Sequence, residues 1–223
     1  MKKVILVDGN NLLFRSYYAT AYQGNFMKNS KGFPTNALYG FVNMINKIIN
    51  DEKPEYMLVA FDKGKTFRHD KYEDYKAGRI EMPNELKQQF PVAKEILTNL
   101  GIKWFEIDNY EADDIVGTLS KMIDDCDDYR GLIVSSDKDL LQLITDKVIM
   151  KMLKPKDYVM MTKETFFDVY GLTPEKMIDI KALQGDSSDN IPGVKGIGEK
   201  TALKLLQEYG SLEAIYDNLA YIK

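Results

Sequence analysis

Three short apolar runs each end at or beside an aspartate, and this repetition constrains the fold more than any other feature of the chain. Residues 3–7 read KVILV and run into Asp8, residues 56–61 read YMLVAF and run into Asp62, and residues 131–136 read GLIVSS and run into Asp137. Runs this short, rich in Val, Ile and Leu and lacking polar alternation, fit strands buried on both faces of a parallel sheet. Residues 102–107, IKWFEI, predict a fourth strand. Helical stripes lie between the runs. From Thr35, the residues Leu38, Phe41, Val42, Ile45, Ile48 and Ile49 share one face; Ile96, Leu97 and Leu100 close a second helix; Ile115, Val116, Leu119, Met122 and Ile123 form a third. Strand and helix alternation is the α/β pattern. Ligands of such sheets bind outside the carboxyl ends of the strands, where Asp8, Asp62 and Asp137 should emerge.

The pattern changes after Gly171. Thr173 and Pro174 signal a helix start, with the helix running to about Leu183, and further helical patterns cover 199–209 and 211–219 with no strand-like run among them. The expected organisation is an α/β domain over 1–172 and a helical subdomain over 173–223, with no flexible linker, repeat or low-complexity tract.

Acidic residues gather at the predicted strand ends. Asp8, Asp62, Asp137 and Asp139 follow strands, Glu111, Asp113 and Asp114 open a helix in YEADDIV, and Asp186 and Asp189 lie in the turn-rich QGDSSDN. One such Asp is ordinarily a cap or turn residue. Acids at a helix start also complement its dipole by about 0.3–1 kcal/mol each, which explains one or two of the three in YEADDIV. Glu111 and Asp114, three residues apart, repel each other, so a positive group is expected nearby. Nine carboxylates brought together without a cation would raise one another's pKa values. Cys126 is the only cysteine and His69 the only histidine, which excludes an internal disulfide and a His/Cys zinc site. Oxygen donors suit hard cations, and nine acids are too many for a single Mg²⁺. Two-metal carboxylate sites serve phosphoester hydrolysis.

Net charge is −4, from 34 acidic and 30 basic residues. Setting the nine acids aside leaves 25 against 30, so the rest of the chain is +5 and suits a nucleic-acid partner. Residues 63–79, KGKTFRHDKYEDYKAGR, carry Lys63, Lys65, Arg68, Lys71, Lys76 and Arg79 with Phe67, Tyr72 and Tyr75 interleaved. Such a stretch reads either as a solvated face or, beside a metal site, as a phosphate-binding one. His69 fits a surface or packing role better than a general base, and packing is favoured over base stacking for Tyr17 and Tyr18. In IPGVKGIGEKT, Gly193, Gly196 and Gly198 allow a tight turn into a helix, with Lys195 and Lys200 beside an anion-binding N-terminus. No run approaches the roughly 18 apolar residues of a membrane span, and MKKVILVDGNN turns polar too soon for a signal peptide. A cytoplasmic protein without membrane contact is expected.

VDGNNLLFRSYYA, AFDKGKTFRHDKYEDYKAGR, YEADDIVGTL, SSDKDLLQL and QGDSSDNIPGVKGIGEKTA together resemble, in order and spacing, the 5′ nuclease family of bacterial flap endonucleases and the N-terminal 5′-3′ exonuclease domain of DNA polymerase I. The resemblance covers nearly the whole chain. It implies a PIN-like α/β fold with a parallel sheet and a C-terminal helix-3-turn-helix subdomain, related to the helix-hairpin-helix. It implies a first-metal cluster of Asp8, Asp62, Glu111 and Asp113, with Asp114, Asp137, Asp139, Asp186 and Asp189 around a second ion, the metals being Mg²⁺ or Mn²⁺. Lys76 and Arg79 match the basic pair at the base of a helical arch, expected over about 65–100. Arg68, Lys71, Lys195, Lys200 and Thr201, with Gly193, Gly196 and Gly198, would contact DNA, and the glycine turn often holds K⁺ in this family. The implied activity is metal-dependent hydrolysis of DNA at a 5′ flap, nick or 5′ single-stranded end, in replication and repair, by a monomer. A haloacid dehalogenase phosphatase is disfavoured by Asn10, where that family needs an acid. A PIN-type ribonuclease would need neither the glycine turn nor the basic segment, and a non-catalytic junction binder would not need Lys76 and Arg79 beside nine acids.

Overall fold

Strand β1 (Lys2–Asp8) lies in the middle of the sheet and explains why its sequence does not alternate. Ile5 and Val7 are buried in one core, while Leu6, on the opposite face, is buried in another. The computed structural model describes residues 1–21 and 27–222. β1 is followed by α1 (Gly9–Thr20), α2 (Asn36–Glu52), β2 (Tyr56–Ala60), α3 (Phe67–Lys71), α4 (Asn84–Lys87), α5 (Gln89–Asn99), β3 (Lys103–Phe105), α6 (Ala112–Asp124), β4 (Tyr129–Ser135), β5 (Val148–Leu153), β6 (Tyr158–Met161) and α7 (Lys163–Tyr170). The strands form one sheet in the order β3-β2-β1-β4-β5-β6, parallel except for β6 at one edge. The register pairs Leu6 with both Leu58 and Ile133, so β1, β2 and β4 end side by side.

Helices cover both faces. Phe41 and Ile45 of α2, with Ala93 and Leu97 of α5, pack against Val59, Phe61 and Val134. Ile115 and Val116 of α6 pack on the other face with Leu6 and Ile133. That second core continues into the remaining helices, α8 (Met177–Gln184), α9 (Glu199–Tyr209) and α10 (Leu212–Asp217), through Ile180, Leu183, Leu206 and Ile215.

Several expectations change in detail. The fourth expected strand shortens to Lys103–Phe105. The helix expected from Thr173 begins as a 3-10 turn at Pro174–Lys176 before α8. The C-terminal region, read as free of strands, contains a two-residue pair, β7 (Gly185–Asp186) with β8 (Ile191–Pro192). The expected 65–100 arch is broken: α3 and α4 are short, and α5 belongs to the body because Ala93 and Leu97 are fully buried there. Among the described residues, no helix is long and apolar enough to cross a membrane.

Candidate metal centre and active site

The carboxyl ends of β1, β2 and β4 deliver three of the acids, and local hydrogen bonds hold them. Asp8 caps α1, accepting from the Asn11 amide at 2.9 Å, and receives the Ser135 hydroxyl at 3.0 Å. Asp62 accepts from the Ala112 amide at 2.7 Å and from Asn10 Nδ2 at 3.0 Å, while its own amide donates to Asn10 Oδ1. Asp137 accepts from the Asp139 amide at 2.9 Å. These three join Glu111, Asp113, Asp139 and Asp189 around a cleft of about 270 Å³, with Lys76 and Arg79 also in its lining. Asp114 and Asp186 line an adjoining cavity of about 630 Å³ instead.

Crowding leaves its mark on protonation. Burial pushes Asp8 up to about 7, with Asp62 and Asp137 adding like-charge repulsion against the lowering effect of the Asn11 amide and Ser135. Asp113 is pushed to about 8 by burial and then by Asp8, Asp137, Asp62 and Glu111. Burial also raises Asp62 and Asp139. Such perturbation in a cleft marks functional sites.

The positive groups expected near YEADDIV are Arg68 and Lys76. Arg68 forms a two-pronged pair with Asp114 at 2.7 and 2.8 Å, and Asp114 also accepts from the Glu111 amide at 2.9 Å, closing the helix start. Lys76 Nζ lies 2.7 Å from Glu111. Arg79 pairs with Asp189 and donates to the Ser188 carbonyl at 3.1 Å. Lys181 on α8 sits between Asp139, at 2.6 Å, and Asp186, at 2.7 Å. Tyr75, buried at the back, directs its hydroxyl to Glu111 at 3.1 Å and Asp189 at 3.0 Å. Lys76 adopts a left-handed φ of 58°, and its amide donates to the Asp189 carbonyl. A non-glycine residue held in that region is characteristic of a constrained site. Thus the 67–79 segment is bound to the Ser188–Asn190 loop, where Asn190 also reaches the Asp74 carbonyl.

The other expected contacts are distributed differently. Arg68, read as a DNA contact, is engaged with Asp114, whereas Lys71 is exposed with its ammonium over the Phe67 ring. Lys195, Lys200 and Thr201 are exposed around the turn leading into α9. Its glycines differ in purpose. A Cβ on Gly193 would lie 2.2 Å from the Gln184 backbone, so Gly193 permits two chains to cross; Gly196 has φ +87°; a Cβ on Gly198 would meet open space. His69 accepts from the Thr66 amide within a helix cap and packs edge-on against Tyr75. Tyr17 is buried, but Tyr18 is 60% exposed, contrary to a packing role for both. Sequence reading did not single out Asn11, Ser135 or Lys181, and it named Asn10 and Tyr75 without placing either among the site residues. Asn10 and Asn11 carried the clearest signal, directly after the first strand-end Asp.

The donor chemistry suits hard divalent ions, being all oxygen, buried and acid-rich. Among the described residues, no three acidic, His or Cys side chains stand in a ligand arrangement. Asp8, Asp62 and Asp137 accept from uncharged side chains or backbone amides, whereas Glu111, Asp114, Asp139, Asp186 and Asp189 each pair with one of the chain's own cations.

Fold and cleft together define a PIN-like α/β domain carrying a SAM-like helical module. Residues 3–171 match the 5′-3′ exonuclease N-terminal resolvase-like domain, and residues 172–223 match the 5′-3′ exonuclease C-terminal SAM fold. The chain belongs to the 5′-3′ exonuclease family. It is 46% identical to a 5′-3′ exonuclease of Bacillus subtilis strain 168, over 99% of this chain and 75% of that one. It is 47% identical to DNA polymerase I of the same organism, over 98% of this chain and 24% of the polymerase. The chain therefore spans about a quarter of the length of that polymerase. A solved structure of the bacteriophage T5 D15 flap endonuclease, a pseudo-enzyme-product complex with DNA and metal ions, superimposes with a TM-score of 0.76 at 28% identity, covering 98% of this chain and 79% of that one.

Proposed function

We propose that the chain is a structure-specific 5′ nuclease that hydrolyses DNA phosphodiesters at 5′ flaps, nicks or 5′ single-stranded ends, acting as a monomer. The observation that carries this reading is the acidic cleft with Lys76 and Arg79 at its rim. Asp8, Asp62, Glu111 and Asp113 would hold a first Mg²⁺ or Mn²⁺, while Asp137, Asp139 and Asp189, with Asp186 from the adjoining cavity, would surround a second. Asp114 acts by fixing the start of α6 and the Glu111 amide. Such ions, when bound, would supply an activated water and offset charge on the leaving 3′ oxygen, chemistry that leaves a 5′-phosphate. Lys76 and Arg79 steady the scissile phosphate, for which Lys76 must release Glu111. Lys71 contacts the single strand, and Lys195, Lys200, Thr201 and the backbone at Gly196–Gly198, with or without K⁺, grip the duplex phosphates at the N-terminus of α9. The metal ions and DNA of the T5 flap endonuclease complex support this reading.

The test is a labelled 5′-flap DNA incubated with Mg²⁺ or with chelator. Cleavage near the junction only with Mg²⁺ is expected, and its absence overturns the proposal. Asp62→Asn should abolish cleavage while leaving junction binding in Ca²⁺ largely intact.

A further inference from the structure

Four basic side chains stand among the nine acids, and three of them hold one carboxylate each: Lys76 on Glu111, Arg68 on Asp114, and Arg79 on Asp189. Lys181 holds two. Its ammonium lies 2.6 Å from Asp139 Oδ1 and 2.7 Å from Asp186 Oδ2, bringing the turn after β4 to β7. The backbone beneath it is fixed, because Met177, Ile180 and Leu183 of α8 are buried in the core. The side chain is not: it is 28% exposed and borders the 630 Å³ cavity, which gives it room to swing aside.

We propose that Lys181 is a resident counter-cation of the second ion position. It occupies the Asp139–Asp186 pair until a divalent ion displaces it, and so sets the divalent concentration at which the second ion enters. The inference rests on the two-ion reading of the cleft. The ammonium stands against one oxygen of each carboxylate, Asp139 Oδ1 and Asp186 Oδ2, and a cation at that spacing repels another. A lysine suits the task because its compact charge rides on a flexible four-carbon stem, whereas Arg68 is locked to Asp114 by a planar fork. The alternative is a strut: Lys181 could hold the two acids in place for the ion, in which case its loss would weaken binding.

The two roles predict opposite signs. Mn²⁺ titration of the full chain, followed by calorimetry and by electron paramagnetic resonance, would compare wild type with Lys181→Met, which keeps length but loses charge, and Lys181→Arg, which keeps charge. Lys181→Met should tighten the weaker of two Mn²⁺ affinities by about fivefold to tenfold, and Lys181→Arg should not. In chelator, Lys181→Met should melt below wild type, with a larger rise on adding Mn²⁺. Unchanged or weaker second-ion binding in Lys181→Met overturns the inference. If that variant does not fold in chelator, Lys181→Gln is titrated in its place and judged by the same sign. Failure of wild type to bind two ions would instead overturn the two-ion reading itself.

Discussion

At the scale of single residues, the acidic cleft is controlled by which charge faces which. Arg68 and Asp114 form a bidentate pair with both side chains partly exposed, at 32% and 22%. Its loss is therefore worth less than that of a fully buried pair, and Arg68→Met should cost about 1–2 kcal/mol in urea unfolding at pH 7. Burial raises the Asp114 carboxyl, but Arg68 and the Glu111 amide more than reverse this, and the net effect is a lowered pKa. An acid depressed in the folded state contributes stability above its ordinary value of 3.8 and loses that contribution as pH falls through the folded value. The difference between Arg68→Met and wild type should therefore shrink below pH 4. The carboxylates were legible in the sequence because strand-end Asp residues recur. Their partners were not: whether Arg68 faces DNA or Asp114 depends on the path of residues 67–79 in space, and Lys181 reaches Asp139 across 42 positions of chain.

At the scale of elements, the glycine turn separates into parts with different tolerance. Gly185, at φ +76°, and Gly193 face each other so closely that a Cβ on either would meet backbone within 2.3 Å. Gly193→Ala should lower stability by several kcal/mol, at or beyond the usual ~1–3 for overpacking, because backbone cannot yield as a side chain does. Gly198→Ala, facing open space but at the N-cap of α9, should cost only about 0.5–1 kcal/mol. Thermal melts of both variants check this contrast. Elements themselves were read well where periodicity was strong, as for α2 and α6, whose apolar stripes face the two cores except for Met122 of α6, which is exposed. Strands β5 and β6 escaped because VIMKML contains Lys151, buried against Glu52 at 2.7 Å, and YVMM is a four-residue edge strand.

At the scale of the whole molecule, the cleft should tie stability to pH and to metal. Asp8 and Asp113 bind protons in the folded chain up to about 7 and about 8, against an ordinary 3.8 when unfolded. Between those limits the folded state holds more protons, so stability falls as pH rises. In chelator, the melting temperature should drop from pH 5 to pH 8, offsetting any gain from other groups. Saturating Mg²⁺ should raise it and flatten this dependence, and calorimetry at both pH values checks the outcome. The bonds that assemble the cleft also differ from those of the helices in how far along the chain they reach. Ser135 and Asp8 are 127 residues apart, Tyr75 and Asp189 are 114, and Asn10 and Asp62 are 52. Such contacts close long loops and form late, whereas helical turns close locally and early. During refolding, the helical circular dichroism signal should thus return before the capacity to bind Mg²⁺. A chain released from denaturant passes through an interval in which it is largely built and still chemically silent.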